Sequence, residues 1–204
     1  MLRRILLLLG GCILLGSGVG LVLRADLGSD GFSTLVSGLT VATGLPFFVA
    51  SLIISVLFVI MAAARKVMPG IGTVVQIFLV GGTANVMLEL LQTPASWPAR
   101  VGLLLAALPV LAVGIAAYLG AQLGAGPMEA AGLAWDPPLP FRWSYNAMQL
   151  VAAVIGWLLG GTIGLATIAI IVVLGPLVDL TARLLGLDVH QDDAPPSEQA
   201  PSLR

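Results

Sequence analysis

Apolar residues fall along this chain in long blocks separated by short polar breaks. A helix needs about 20 largely apolar residues to cross a bilayer. Six blocks qualify: residues 5–23, 46–64, 70–91, 101–120, 142–160 and 164–185. Two further blocks, Gly28 to Gly44 and Gly124 to Pro140, are apolar but rich in small and polar residues. Each offers about 12 helical residues, too few to cross, so they are expected as half-helices or interfacial helices. The pattern predicts an all-α integral membrane protein of six transmembrane helices.

The blocks repeat. At an offset of 96, Leu23-Arg24-Ala25-Asp26-Leu27-Gly28 meets Leu119-Gly120-Ala121-Gln122-Leu123-Gly124, and at an offset of 94, Leu45-Pro46-Phe47 meets Leu139-Pro140-Phe141. Gly70, Thr73 and Gly81 then meet Gly164, Thr167 and Gly175, and Asn85 meets Asp179. The expected organisation is a first repeat over 1–92, with three spans and a short helix at 28–44. A linker over 93–100 leads to a second repeat over 101–187, with its short helix at 124–140, and a disordered polar tail over 188–204. Three spans per repeat would turn the second upside down relative to the first, a plan that recurs in secondary transporters.

Composition fits that frame: 58% of the 204 residues are hydrophobic and 9% charged, against about 25% charged in soluble domains. A net charge of −1 provides no basic field for nucleic acid. With one cysteine, Cys12, and one histidine, His190, neither a disulfide framework, a zinc cluster nor a histidine-based triad can be assembled within the chain. The expectation is no cofactor, no metal and no enzymatic activity. Leu9-Gly10-Gly11-Cys12 has the look of a lipoprotein cleavage box, but the apolar run continues unbroken through Leu23, so a retained first span is expected.

Positive charges orient the helices. With six spans and the N-terminus inside, Arg3, Arg4, Arg65, Lys66, Arg142, Arg183 and Arg204 face the cytoplasm, and Arg24 and Arg100 face out. Letting both short blocks cross weakens this bias, so the positive-inside rule favours six. A bacterial inner membrane with both termini cytoplasmic is expected, with the oligomeric state left open.

In its second half the chain reads Leu123-Gly124-Ala125-Gly126-Pro127-Met128-Glu129, then Arg142, Gly156-Trp157-Leu158-Leu159-Gly160-Gly161, Gly164-Leu165-Ala166-Thr167 and Gly175-Pro176. This order resembles the YczE/YyaS/YitT group of bacterial multi-pass membrane proteins, which repeats an L-G-x-x-P-x-D pattern after its first and fourth spans. The first-half motif departs from it: Leu27-Gly28-Ser29-Asp30-Gly31-Phe32-Ser33 has glycine for the proline and serine for the acid. The resemblance implies a multi-pass protein, often regarded as a carrier, and supplies no substrate.

The chemistry expected of such a protein rests on few residues. Glu129, early in an apolar half-helix, is costly to bury unless it is paired or carries function. It is a candidate coupling carboxylate, with Asp30 in the other repeat. Asn85 and Asp179 hold matching positions on the third spans and are candidates to bind a polar group between them, although Asp179 is also placed to pair with Arg183 at i+4. Arg142 marks the family position, and it equally suits an anchor at the membrane surface. Gly28 and Gly31, and Gly124, Gly126 and Pro127, open the two short helices, where backbone N–H groups face substrate in discontinuous transporter helices. Gln76, Tyr145, Asn146 and Gln149 are polar within spans, suited to cavity lining or interhelical hydrogen bonds. The expected function is a small secondary carrier, proton-coupled and exporting a small organic or amphiphilic metabolite. The alternative is a non-transporting membrane partner that stabilises or localises another complex.

Overall fold

The computed structural model describes residues 1–135, 138–139 and 141–187, with the backbone alone at 141, 142, 171 and 179. The described residues are helical, without a strand. In order they form α1 (Leu2–Ala25), α2 (Gly31–Thr43), α3 (Phe47–Ala64), α4 (Ile71–Leu90), α5 (Trp97–Gly120), α6 (Pro127–Leu133) and α7 (Phe141–Leu158). Last comes α8 (Leu165–Leu185). The expected tail over 188–204 lies outside the described residues.

Five of these helices, α1, α3, α4, α5 and α8, are long and apolar enough to cross a bilayer. Large side chains such as Leu57, Leu105 and Leu184 stand exposed on their outer surfaces, as lipid-facing positions do. The sixth expected block is α7, whose first turns carry Ser144, Tyr145, Asn146 and Gln149 and dilute its apolar character.

The interior is packed on small residues. Ala50, Ala107, Ala112 and Ala116 are fully buried, and a Cβ at Gly11 would run into the backbone of Gly114 and Tyr118. Lipid offers no hydrophobic drive between helices, so backbones are brought close enough for dispersion contacts to hold.

These contacts fix the helix directions. Gly11 lies against Gly114, Gly18 against Leu111, and Asp26 against Arg100, so α1 and α5 are antiparallel. Gly16 lies by Val80 and Gly20 by Met87, so α1 and α4 are parallel. Phe48 donates its N–H to Asn85 and Ser51 lies by Gly81, making α3 antiparallel to α4. The bundle thus has a first end, where α1 starts, and a second end, where α1 finishes.

The packing is reciprocal between the two halves of the sequence. Helix α2 of the first half packs on α7 of the second, and α6 of the second packs on α3 of the first. The loops follow suit. The N–H of Gly72, at the start of α4, donates to the carbonyl of Leu123 after α5 at 2.8 Å. The N–H of Ala166, at the start of α8, donates to the carbonyl of Leu27 after α1, also at 2.8 Å. Thr73 and Thr167 each accept from the N–H three residues back, of Gly70 and Gly164, at 3.2 Å.

Neither short helix runs the length of the bundle. Gly31 begins α2 beside Gln149, near the middle of α7, and Val41 near its end lies against Gly160 at the second end. Helix α6 starts with buried Pro127 and Met128, and Arg65 at the end of α3 donates to the carbonyl of Ala134 just beyond it. The expected second short helix over 124–140 is therefore only seven residues long. Asp136-Pro137-Pro138 follows closely in the sequence, and proline disfavours helix both at its own position and before it.

Candidate functional site

Between the halves lies a cavity of about 730 Å³. Its wall is duplicated. Leu15 and Leu111, Val19 and Ile115, and Val22 and Tyr118 all line it, each pair 96 residues apart. So do Ser33 and Glu129 at the same offset, and Ser51 with Tyr145, Ser55 with Gln149, and Val80 with Leu174 at an offset of 94. The wall is mostly apolar, and its polar groups are concentrated at the starts of α2 and α6 and along α3, α4 and α7.

Asp30 caps α2, its Oδ2 accepting from the N–H of Ser33 at 3.2 Å, which satisfies one of the amide groups that a helix start leaves without a partner. Glu129 lies in the first turn of α6. The two acids, one from each half, line the same cavity and are within electrostatic reach of each other.

Gly126, the N-cap of α6, donates its N–H to the Tyr118 hydroxyl at 2.7 Å. A Cβ at Gly126 would collide with the Gln76 amide and the Glu129 carboxylate; the three groups converge there. Gln76 is 7% exposed, and among the described residues its Oε1 has no hydrogen-bond partner; Gln149 Oε1 is likewise buried without one, while Gln149 Nε2 donates to the Tyr145 hydroxyl at 3.0 Å.

The remaining expected residues are placed elsewhere or serve other purposes. Asn85 does not reach the cavity: its Oδ1 accepts from Phe48 at 3.3 Å and its Nδ2 donates to Glu89 at 2.6 Å. Asp179 is in α8 and Arg142 in the first turn of α7, and their side chains lie outside the described residues. Gly28 (φ 100°) and Gly124 (φ 129°) form the tight crossings against Gly164 and Gly70, and Pro127 lines the cavity. Gly31 is buried against Gln149.

Ser51, Ser55 and Tyr118 are cavity residues that sequence reasoning passed over. A signal was present: Ser51 and Ser55 share a helix face at i, i+4, and at an offset of 94 they align with Tyr145 and Gln149. Among the described residues no group of three or more His, Cys, Asp or Glu is placed to hold a metal ion.

A bundle of apolar helices, two of them short and broken off inside, around a cavity with sparse polar groups is the architecture of a multi-helix membrane protein. Residues 2–183 match the family of unknown function DUF6198, and the chain belongs to that family. It is similar to an uncharacterised protein of Haemophilus influenzae, 27% identical over 192 residues, covering 92% of this chain and 87% of the relative. No solved structure matches.

Proposed function

We propose that the protein is a small secondary carrier of an organic or amphiphilic solute, coupled to protons through Glu129. In this reading, six spans, α7 included, form two inverted repeats in a bacterial inner membrane, with both termini cytoplasmic. The first end of the bundle, with Arg3, Arg4, Arg65 and Lys66, then faces the cytoplasm, as the positive-inside rule requires.

The observation that carries the proposal is the duplicated cavity wall. Residues related by the two repeat offsets, 96 and 94, surround one space, and each half contributes one carboxylate to it. Alternating access by exchange of conformations needs a site shared between repeats in this way. The reciprocal hydrogen bonds Gly72–Leu123 and Ala166–Leu27 support the same symmetry. The motifs resembling YczE-like proteins fall within the elements that build the site.

The test is solute flux in proteoliposomes under an imposed proton gradient. Glu129→Gln is expected to abolish the dependence on the gradient while leaving a folded protein, because the amide matches the shape and cannot ionise. Flux that stays gradient-driven in this variant removes Glu129 from the coupling step.

A further inference from the structure

We infer that the cargo is a monovalent organic cation, such as a protonated amine on an apolar body, held against Asp30 and Glu129. This deepens the carrier reading and rests on it for the word cargo; the binding claim stands on the cavity alone.

Asp30 and Glu129 bring two carboxylates to the cavity wall, and no Lys, Arg or His is among its described lining residues. Gln76 Oε1 and Gln149 Oε1 are buried acceptors without a hydrogen-bond partner among the described residues. Gln76 is nine-tenths buried and converges with Glu129 on Gly126, so this acceptor is held at the acid rather than at the bundle surface. Both acids are half-buried in the cavity wall, and carboxylates drawn out of water are costly unless a positive partner or a proton balances them. A ligand bearing a cationic N–H group answers both deficits at once, neutralising charge and donating to the orphaned oxygens.

Shape excludes a bare metal ion as the occupant. The space, about 730 Å³, is of the size of small-molecule sites and far larger than one ion. Most of its wall is aliphatic or aromatic, including Phe32 and Phe47, and an inorganic cation would exchange its water for little oxygen there. An anion of the same shape would meet two like charges. A proton and an organic cation would instead occupy the same carboxylates in turn, which yields exchange of one for the other without a further site.

The experiment uses two probes of similar shape and opposite charge, phenethylammonium and 3-phenylpropanoate. Binding of each is measured on the purified full chain in nanodiscs, after subtraction of empty nanodiscs. Saturable phenethylammonium binding with no saturable 3-phenylpropanoate binding is expected. Glu129→Gln and Asp30→Asn should each weaken the cation at least about 10-fold, as loss of a desolvated charge partner does. Equal or preferred binding of the anion overturns the inference, as does cation binding unchanged in the double variant. The comparison of the two probes on the unaltered protein does not depend on how the variants fold. Cation binding without flux in proteoliposomes would sink the carrier reading alone; flux of neutral or anionic solutes without cation binding would sink this inference alone.

Discussion

Arg100 Nη1 lies 3.0 Å from Asp26 Oδ2, joining the start of α5 to the residue that ends α1. Asp26 also accepts from the Thr162 hydroxyl at 3.5 Å, so three separate segments meet at the second end of the bundle. Both charged groups are partly exposed, and such a pair contributes below about 1 kcal/mol to stability.

The pair is therefore expected to act as a latch. In a Cys12→Ala background, a cysteine placed at Ser37, beside the hollow at this end, should react several-fold faster with a membrane-impermeant maleimide when Arg100 is changed to Ala. Thermal unfolding should barely move. Equal labelling rates would mean that the ion pair closes nothing.

Adjacent glycines on α1 should respond in opposite ways. A Cβ at Gly11 would meet the backbone of α5, whereas Gly10 has nothing within 4 Å. Gly11→Ala is expected to cost about 1–3 kcal/mol by forcing the helices apart. Gly10→Ala should be neutral or stabilising by up to about 1 kcal/mol, since alanine is the better helix former. Thermal unfolding of both variants in nanodiscs, followed by tryptophan fluorescence, checks the ordering.

Tyr118→Phe removes the hydroxyl that accepts from the N–H of Gly126. An amide left inside without an acceptor costs about 1–3 kcal/mol. Because Gly126 opens the helix that carries Glu129, affinity for the cationic probe should fall along with stability. A Tyr118→Phe protein that loses stability but keeps its affinity would show that this bond holds the fold and not the acid.

Gly28 and Gly124 adopt positive φ where backbone from the other half passes close by. Alanine at either position should cost about 1–3 kcal/mol through strain, with the added collision against Gly164 at Gly28 making that variant the worse of the two. Gly102→Ala, facing open space, serves as the control in the same unfolding assay.

Five of the six apolar blocks were legible as long helices because hydropathy alone dictates them: a block over 70–91 becomes Ile71–Leu90, and one over 46–64 becomes Phe47–Ala64. The offset of Leu27-Gly28 against Leu123-Gly124 likewise marked two loops that occupy corresponding places. Site membership was harder, since it depends on which face of a helix turns inward. Asn85 matched Asp179 in register, yet its amide is taken up by Phe48 and Glu89. Ser51 and Ser55 gave little warning, because serine in a span as readily bonds its own helix, as Ser51 does to the carbonyl of Phe48 at 2.8 Å.

Helix α8 carries a π turn at Ile170–Leu174, directly before Pro176, whose missing N–H cannot close the usual ladder. The matching stretch of α4, around Gln76 and Val80, is regular α-helix. Two perfectly equal halves would leave the inward- and outward-facing forms of a carrier at the same energy, split evenly at rest. With the wider turn on one side alone, that degeneracy is lifted. On the carrier reading, one of the two forms is then preferred at rest, and whatever binds must supply the difference to leave it.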